Sequence, residues 1–146
     1  MPTPSTAWHW RAEPLWRPAH RLNRSGIPEK YLPWLIDTAS LTERIIAQCR
    51  ENFRVRLLDQ RRVRPLRNEA EALGMRAGTR AIVRQVQLLC GDTRWVYART
   101  IIPPRTFARK LHRFTTLGAR SLGAMLFADP SMKRGEVEVT RLTPSD

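Results

Sequence analysis

Lysine is almost missing from this chain. Lys30, Lys110 and Lys133 are the only three among 26 basic residues, and the rest are arginine. Acidic residues are also scarce, 13 in all, so the formal net charge is +13. Cysteine occurs twice, at Cys49 and Cys90. Two distant cysteines make neither a disulfide framework nor a metal knuckle, and both are read as reduced core thiols. His9, His20 and His112 have no ligand spacing, so no metal is expected. No apolar run approaches the roughly 18 residues of a membrane span. The N-terminus lacks the apolar core of a secretory signal, since Trp8, Trp10 and Trp16 stand among Pro, His and Arg. The expected location is the cytoplasm. Internal repeats and low-complexity tracts are missing as well.

What is present is ordinary for a globular protein: 146 residues, 42% hydrophobic and 27% charged. That length is enough for one domain with a real core. The positive balance raises two readings, a basic nucleic-acid-binding module or a solvated, arginine-biased surface that attracts small anions. The arginines are scattered through strands and loops and form no recognised nucleic-acid motif, so no specific nucleic acid is expected as partner.

Residues 1–27 are rich in Pro, Trp and Arg without a period, and read as an irregular arm whose tryptophans pack onto the domain. Residues 28–50 read as two short helices. Pro28 suits a helix start, and Ser40-Leu41-Thr42-Glu43 has capping-box spacing. Leu41, Ile45, Ile46 and Cys49 would then share an apolar face. Phe53, Val55 and Leu57 alternate with Arg54 and Arg56, which predicts a strand. Asp59 to Arg62 either continues it or turns it back, and Pro65 stops it. Residues 69–73 predict a helical turn ending at Gly74. Residues 105–113 read as helix or loop, and 119–127 as a short helix between Gly118 and Pro130. Residues 136–142 alternate as a further strand, with Val137 and Val139 facing one way. The fold class expected is α+β: a single domain, with an antiparallel sheet of four strands and short covering helices.

Residues 80–90 alternate like a half-buried strand. One face carries Ile82, Arg84, Val86, Leu88 and Cys90, apolar except for Arg84. Gly91-Asp92-Thr93 signals a turn, and Trp95 to Ile102, closed by Pro103-Pro104, completes an antiparallel hairpin. A guanidinium stays charged at ordinary pH, and burying it without a partner is costly. Arg84 therefore calls for a carboxylate, from the protein as a structural ion pair or from an anionic ligand. Arginine suits a ligand carboxylate because its planar fork engages both oxygens.

The hairpin residues Arg84-x-Val86 through Trp95-Val96-x-Ala98-Arg99-Thr100-Ile101-Ile102-Pro103 stand between two further blocks. Upstream is Trp34-Leu35-Ile36-Asp37-Thr38-Ala39-Ser40-Leu41-Thr42-Glu43-Arg44, and downstream is Leu117-Gly118-x-x-x-Leu122-Gly123-x-x-Leu126-Phe127. In this order, over roughly residues 30–142, they resemble the chorismate pyruvate-lyase family. The resemblance implies an enzyme that splits chorismate into 4-hydroxybenzoate and pyruvate, feeding ubiquinone synthesis. Chorismate lysis is an elimination with aromatisation: a ring proton leaves, the enolpyruvyl ether bond breaks, and no metal or redox cofactor is needed. The resemblance also implies ligand held against the sheet under helix-turn-helix flaps. Arg84 matches the family arginine that holds the ring carboxylate. Leu122 matches a residue whose main chain contacts the ligand, and Leu41 falls where the family places an apolar residue lining the pocket.

Family members continue past the last strand into a Gly/Arg-rich segment and a strand bearing a glutamate against the substrate. This chain stops at Thr143-Pro144-Ser145-Asp146. The expectation is an arm over 1–27 and a lyase-like domain over 28–146 that lacks that strand, with an open sheet edge and impaired activity. No catalytic residue is assigned; Glu136 and Glu138 lie on the preceding strand and are not given that role. The hairpin also resembles the effector-binding domain of GntR-type regulators, which makes a non-catalytic small-carboxylate-binding domain the alternative. No winged helix is read in these residues, and the Trp34 to Arg44 block favours the lyase.

Overall fold

Alternation and turn chemistry place the central hairpin where the sequence expects it. In a computed structural model, which describes residues 13–22, 26–106 and 122–142, the described chain forms two compact units. One holds residues 49–106 with Leu122; the other holds residues 13–22, 26–48 and 123–142. The fold class is α+β with antiparallel sheets.

In the first unit, β2 (Phe53–Val63), β3 (Ala81–Cys90) and β4 (Thr93–Ile102) form a three-stranded antiparallel sheet in the order β2-β3-β4. Cys90 pairs with Thr93, so the hairpin loop is the two residues Gly91 and Asp92, and Thr93 already belongs to β4. Gly91 has φ +56 and no described non-glycine residue has positive φ. A positive first and negative second central residue is the sign pattern of a type II′ turn, whose twist matches the strands it joins. The positive φ is what calls for glycine there; the Glu51 carboxylate also lies where a Cβ would be, but as the end of an exposed side chain it can move aside.

β2 runs on through Asp59 to Arg62 rather than turning back. It does so with one extra residue: Leu57 pairs with Val86 and Asp59 with Gln85, leaving Leu58 as a bulge. β4 has a similar irregularity, with Val96 opposite Leu88 and Arg94 opposite Leu89.

β3 is not half-buried. All its residues except Ile82 are buried, including Gln85 and Gln87 on the face opposite Arg84. Buried amides need partners, and this face supplies them. Tyr97 donates its hydroxyl to Gln85 Oε1 at 2.5 Å. Beside it, Arg99 donates Nε to Glu69 Oε1 at 2.6 Å and Nη2 to Oε2 at 3.1 Å. Glu69 lies on α3 (Arg67–Ala72), two residues longer at its start than expected, and also accepts from the Leu66 N–H at 2.8 Å. One carboxylate thus caps the helix and ties it to the sheet. Gly74, φ +58, follows the helix end.

The cysteines are not free thiols. Cys49 and Cys90 form a disulfide, with Cα atoms 5.6 Å apart. The physical reason is tertiary. The preceding helix ends at Gln48, so Cys49 is released from it. Asn52 then accepts a hydrogen bond from the Gly91 N–H at 3.0 Å, and this contact brings the segment beside the end of β3.

In the second unit a 3-10 turn (Glu29–Tyr31) follows Pro28 and leads into α1 (Leu32–Leu35); α2 spans Leu41–Gln48. Ser40 caps α2 as expected, its Oγ accepting from the Glu43 N–H at 3.3 Å. The apolar face differs from the expected one: Ile45 is buried with Thr42, whereas Leu41 and Ile46 are exposed. The final strand differs too. β5 is only Glu138–Val139, and it pairs with β1 (Arg17–Pro18), not with the main sheet. The arm therefore contributes one strand of a short ribbon, reinforced by Ala19 N–H donating to the Val137 carbonyl at 2.8 Å and by a His20–Glu136 contact. Trp16 is exposed rather than packed; Trp8 and Trp10 lie outside the described residues, as do 107–121. The last helix is seen as α4 (Leu122–Phe127).

Asp37 fastens the turn between α1 and α2. Its Oδ1 accepts from the Ala39 N–H at 2.8 Å and its Oδ2 from Arg44 Nη1 at 2.6 Å. Arg44 also donates to the Pro33 carbonyl and lies over the Trp34 ring. The Ala39 hydrogen bond first, and the Arg44 guanidinium second, hold the Asp37 carboxyl below its ordinary 3.8. A depressed folded-state pKa contributes stability above the unfolded value, lost as pH falls through the folded one. Stability measured by denaturant titration between about pH 6 and about pH 3 should therefore fall more steeply for the native chain than for Asp37→Asn. Equal slopes would show that the clasp carries no proton linkage.

Candidate functional site

The bulge at Leu58 decides which side chains share a face with Arg84. Before it, Phe53, Val55 and Leu57 lie on that face; after it the alternation is reversed, and Gln60 and Arg62 take their place. From β4 come Val96, Ala98, Thr100 and Ile102. The result is a largely apolar sheet face with a polar row, Gln60–Arg84–Thr100, across the central strand and Arg62 beyond it opposite Ile82. Bulges are found beside functional sites because they re-aim side chains in this way.

Arg84 is 2% exposed. Its Nη1 donates to Gln60 Oε1 at 2.9 Å. Burial pulls its pKa downward, but arginine starts so high that it remains a cation. Gln60 is neutral, so this hydrogen bond orients the guanidinium without cancelling its charge. Val86 and Ile82 follow and precede it along the same face of β3, and Ala98 and Ile102 lie beside them on β4. In such low-dielectric surroundings a charge interacts more strongly with an approaching anion than it would in water.

The polar network on the other face is the second electrostatic feature. Burial raises the Tyr97 phenol pKa, partly opposed by Arg99, and the hydrogen bond to Glu69 raises that of Arg99. With both members of the pair about one-fifth exposed, this is a structural brace, and it lies on the opposite side of the sheet from Arg84.

Of the other residues singled out from sequence, Leu122 opens α4 and is half-buried, in the same unit as Arg84. Leu41 opens α2 in the second unit and is 41% exposed. Glu136 and Glu138 are exposed beside and within the β1–β5 ribbon. Gln60 was missed by sequence reasoning. The available signal was an amide inside the charged run Asp59-Gln60-Arg61-Arg62, but without the bulge its face could not be assigned. Among the described residues no group of three or more His, Cys, Asp or Glu is placed to hold a metal ion.

The site can thus recognise a carboxylate through a buried, oriented guanidinium and accept an apolar ring against the surrounding sheet. The sequence profile of the family described as chorismate lyase matches residues 11–145. A protein named "Probable chorismate pyruvate-lyase" in Cupriavidus metallidurans is 38% identical over 138 residues, covering 94% of this chain and 60% of that protein. The like-named protein of Hydrogenovibrio crunogenus is 36% identical over 131 residues, covering 90% and 70%. That of Aromatoleum aromaticum is 41% identical over 111 residues, covering 76% and 60%. The chain thus spans between about three-fifths and about seven-tenths of the length of these relatives. A profile match over nearly its whole length, with a buried arginine set into an apolar sheet face, means that this chain belongs to the chorismate lyase family.

Proposed function

We propose that this chain binds chorismate and 4-hydroxybenzoate on the Arg84 face of the sheet, and acts in the lysis of chorismate to 4-hydroxybenzoate and pyruvate. The single observation that carries the reading is Arg84 itself: buried, charged and hydrogen-bonded to the neutral Gln60 on a largely apolar face. Both ligands are ring carboxylates, so one guanidinium serves substrate and product. Leu122 and Leu41 complete the ligand-binding set in this proposal, and the lyase-like body comprises residues 28–146. The reaction forms an aromatic ring as the ether bond breaks, so the protein's task is to hold the carboxylate, exclude water and manage one proton. The 4-hydroxybenzoate formed would feed ubiquinone synthesis in the cytoplasm. The net charge of +13 favours approach of such anions and makes it salt-dependent.

The test is to incubate the purified chain with chorismate and follow both products. Equal amounts of 4-hydroxybenzoate and pyruvate, above the uncatalysed rate, are expected. Binding of 4-hydroxybenzoate without turnover would instead favour the alternative, a small-carboxylate-binding domain related to GntR-type effector domains. Neither binding nor turnover would overturn both.

A further inference from the structure

We infer that Gln60 is a positioning residue for carboxylate recognition, acting through Arg84. The inference rests on the reading of Arg84 as the carboxylate receptor and adds what makes that receptor work.

An arginine side chain has four rotatable bonds before its rigid plane, and bidentate capture of a carboxylate requires that plane to be set in advance. One setting contact in this structure is the 2.9 Å hydrogen bond from Arg84 Nη1 to Gln60 Oε1, between residues directly opposite each other on β3 and β2. Arginine offers only donors, so the amide oxygen must face it, which removes the ambiguity of a glutamine's orientation. The residues around Gln60 show why the choice is specific. Asp59 and Arg61 flank it, and either one opposite Arg84 would change the charge there. The bulge at Leu58 turns both to the other face, where Asp59 lies opposite Gln85 and accepts from Arg61 Nε at 2.8 Å. The strand thus gives up one regular pairing and presents a neutral acceptor to the buried cation. A neutral acceptor orients without competing with the anion the site is built to take.

The experiment measures binding of 4-hydroxybenzoate and of 4-hydroxybenzamide, which has the same shape without the charge. The proteins are the native chain, Gln60→Leu, Gln60→Asn, Gln60→Glu and Arg84→Ala, with folding of each checked by circular dichroism. Gln60→Leu removes the acceptor, and Gln60→Asn draws it back by one methylene. Each is expected to weaken 4-hydroxybenzoate about tenfold, the size of one lost orienting hydrogen bond, with little change for the amide. Gln60→Glu keeps an oxygen at the same reach but adds a charge that competes with the ligand for Arg84, and is expected to bind 4-hydroxybenzoate at least as weakly as Gln60→Leu does. A merely structural role would weaken both ligands alike, and that result would overturn the inference. So would unchanged 4-hydroxybenzoate affinity in Gln60→Leu, or native affinity in Gln60→Glu. If Gln60→Leu does not fold, Gln60→Asn decides by the same criteria. Arg84→Ala separates the two levels. If it leaves 4-hydroxybenzoate binding intact, the receptor reading fails; if it abolishes binding while the Gln60 variants do not, only the positioning role fails.

Discussion

Arg84→Ala is expected to weaken 4-hydroxybenzoate binding by roughly 2–5 kcal/mol, the range for truncating one partner of a desolvated charge pair. The upper part of the range follows from position. Arg84 is 2% exposed at the centre of the sheet, with apolar residues before and after it on its face. A ligand carboxylate brought there loses its water and regains hydrogen bonds from the guanidinium. Arg84→Lys should recover little of the loss, since an ammonium is a point charge without the planar fork. Titration calorimetry at fixed ionic strength checks both, because bulk attraction by the +13 chain is screened by salt while the buried contact is much less so. A folded Arg84→Ala protein that binds as tightly as the native chain would remove Arg84 from the site. The alternative is specific: Arg84 would then be a structural polar group, and its substitution would lower stability and leave affinity alone.

The second large effect concerns the Cys49–Cys90 disulfide. It joins residues 41 apart in sequence, and cross-linking a loop of that size restricts the unfolded chain by about 4 kcal/mol in the chain-entropy picture. The oxidised protein should therefore unfold at a clearly higher denaturant concentration than the same protein in a reducing agent, and Cys49→Ala should behave like the reduced form. Cys90 is buried at the end of β3 and the bridge anchors the segment leading into β2. The hairpin and the Arg84 row have ladder hydrogen bonds of their own besides the bridge, so ligand affinity should change far less than stability. In a reducing cytoplasm such bridges are rare; there the cysteines would be held as neighbouring thiols and the chain would have the lower stability. Coincident unfolding curves in oxidant and reductant, or two titratable thiols in the air-oxidised protein, would remove the bridge from the account.

The sequence by itself determined the features that depend on neighbours along the chain. The hairpin followed from alternation, its turn from Gly91, where φ is positive, and the Ser40 cap from a hydroxyl three residues before an N–H that needs an acceptor. Arg84 stood out because one charge interrupted an apolar period, and the ordered motif blocks were sufficient to show the family resemblance.

Tertiary structure alone decided three other things. Gln85 and Gln87 look like a solvent face in the alternation, yet both are buried, with Tyr97 donating to Gln85 and the Arg99–Glu69 pair on the same side of the sheet. The two thiols became a bridge because the chain leaving α2 is hydrogen-bonded to the turn after Cys90. Gln60 faces Arg84 because a single extra residue at Leu58 inverts the side-chain parity of half of β2. A strand's faces differ by one residue, so any local pattern is blind to a bulge until the partner strand sets the register.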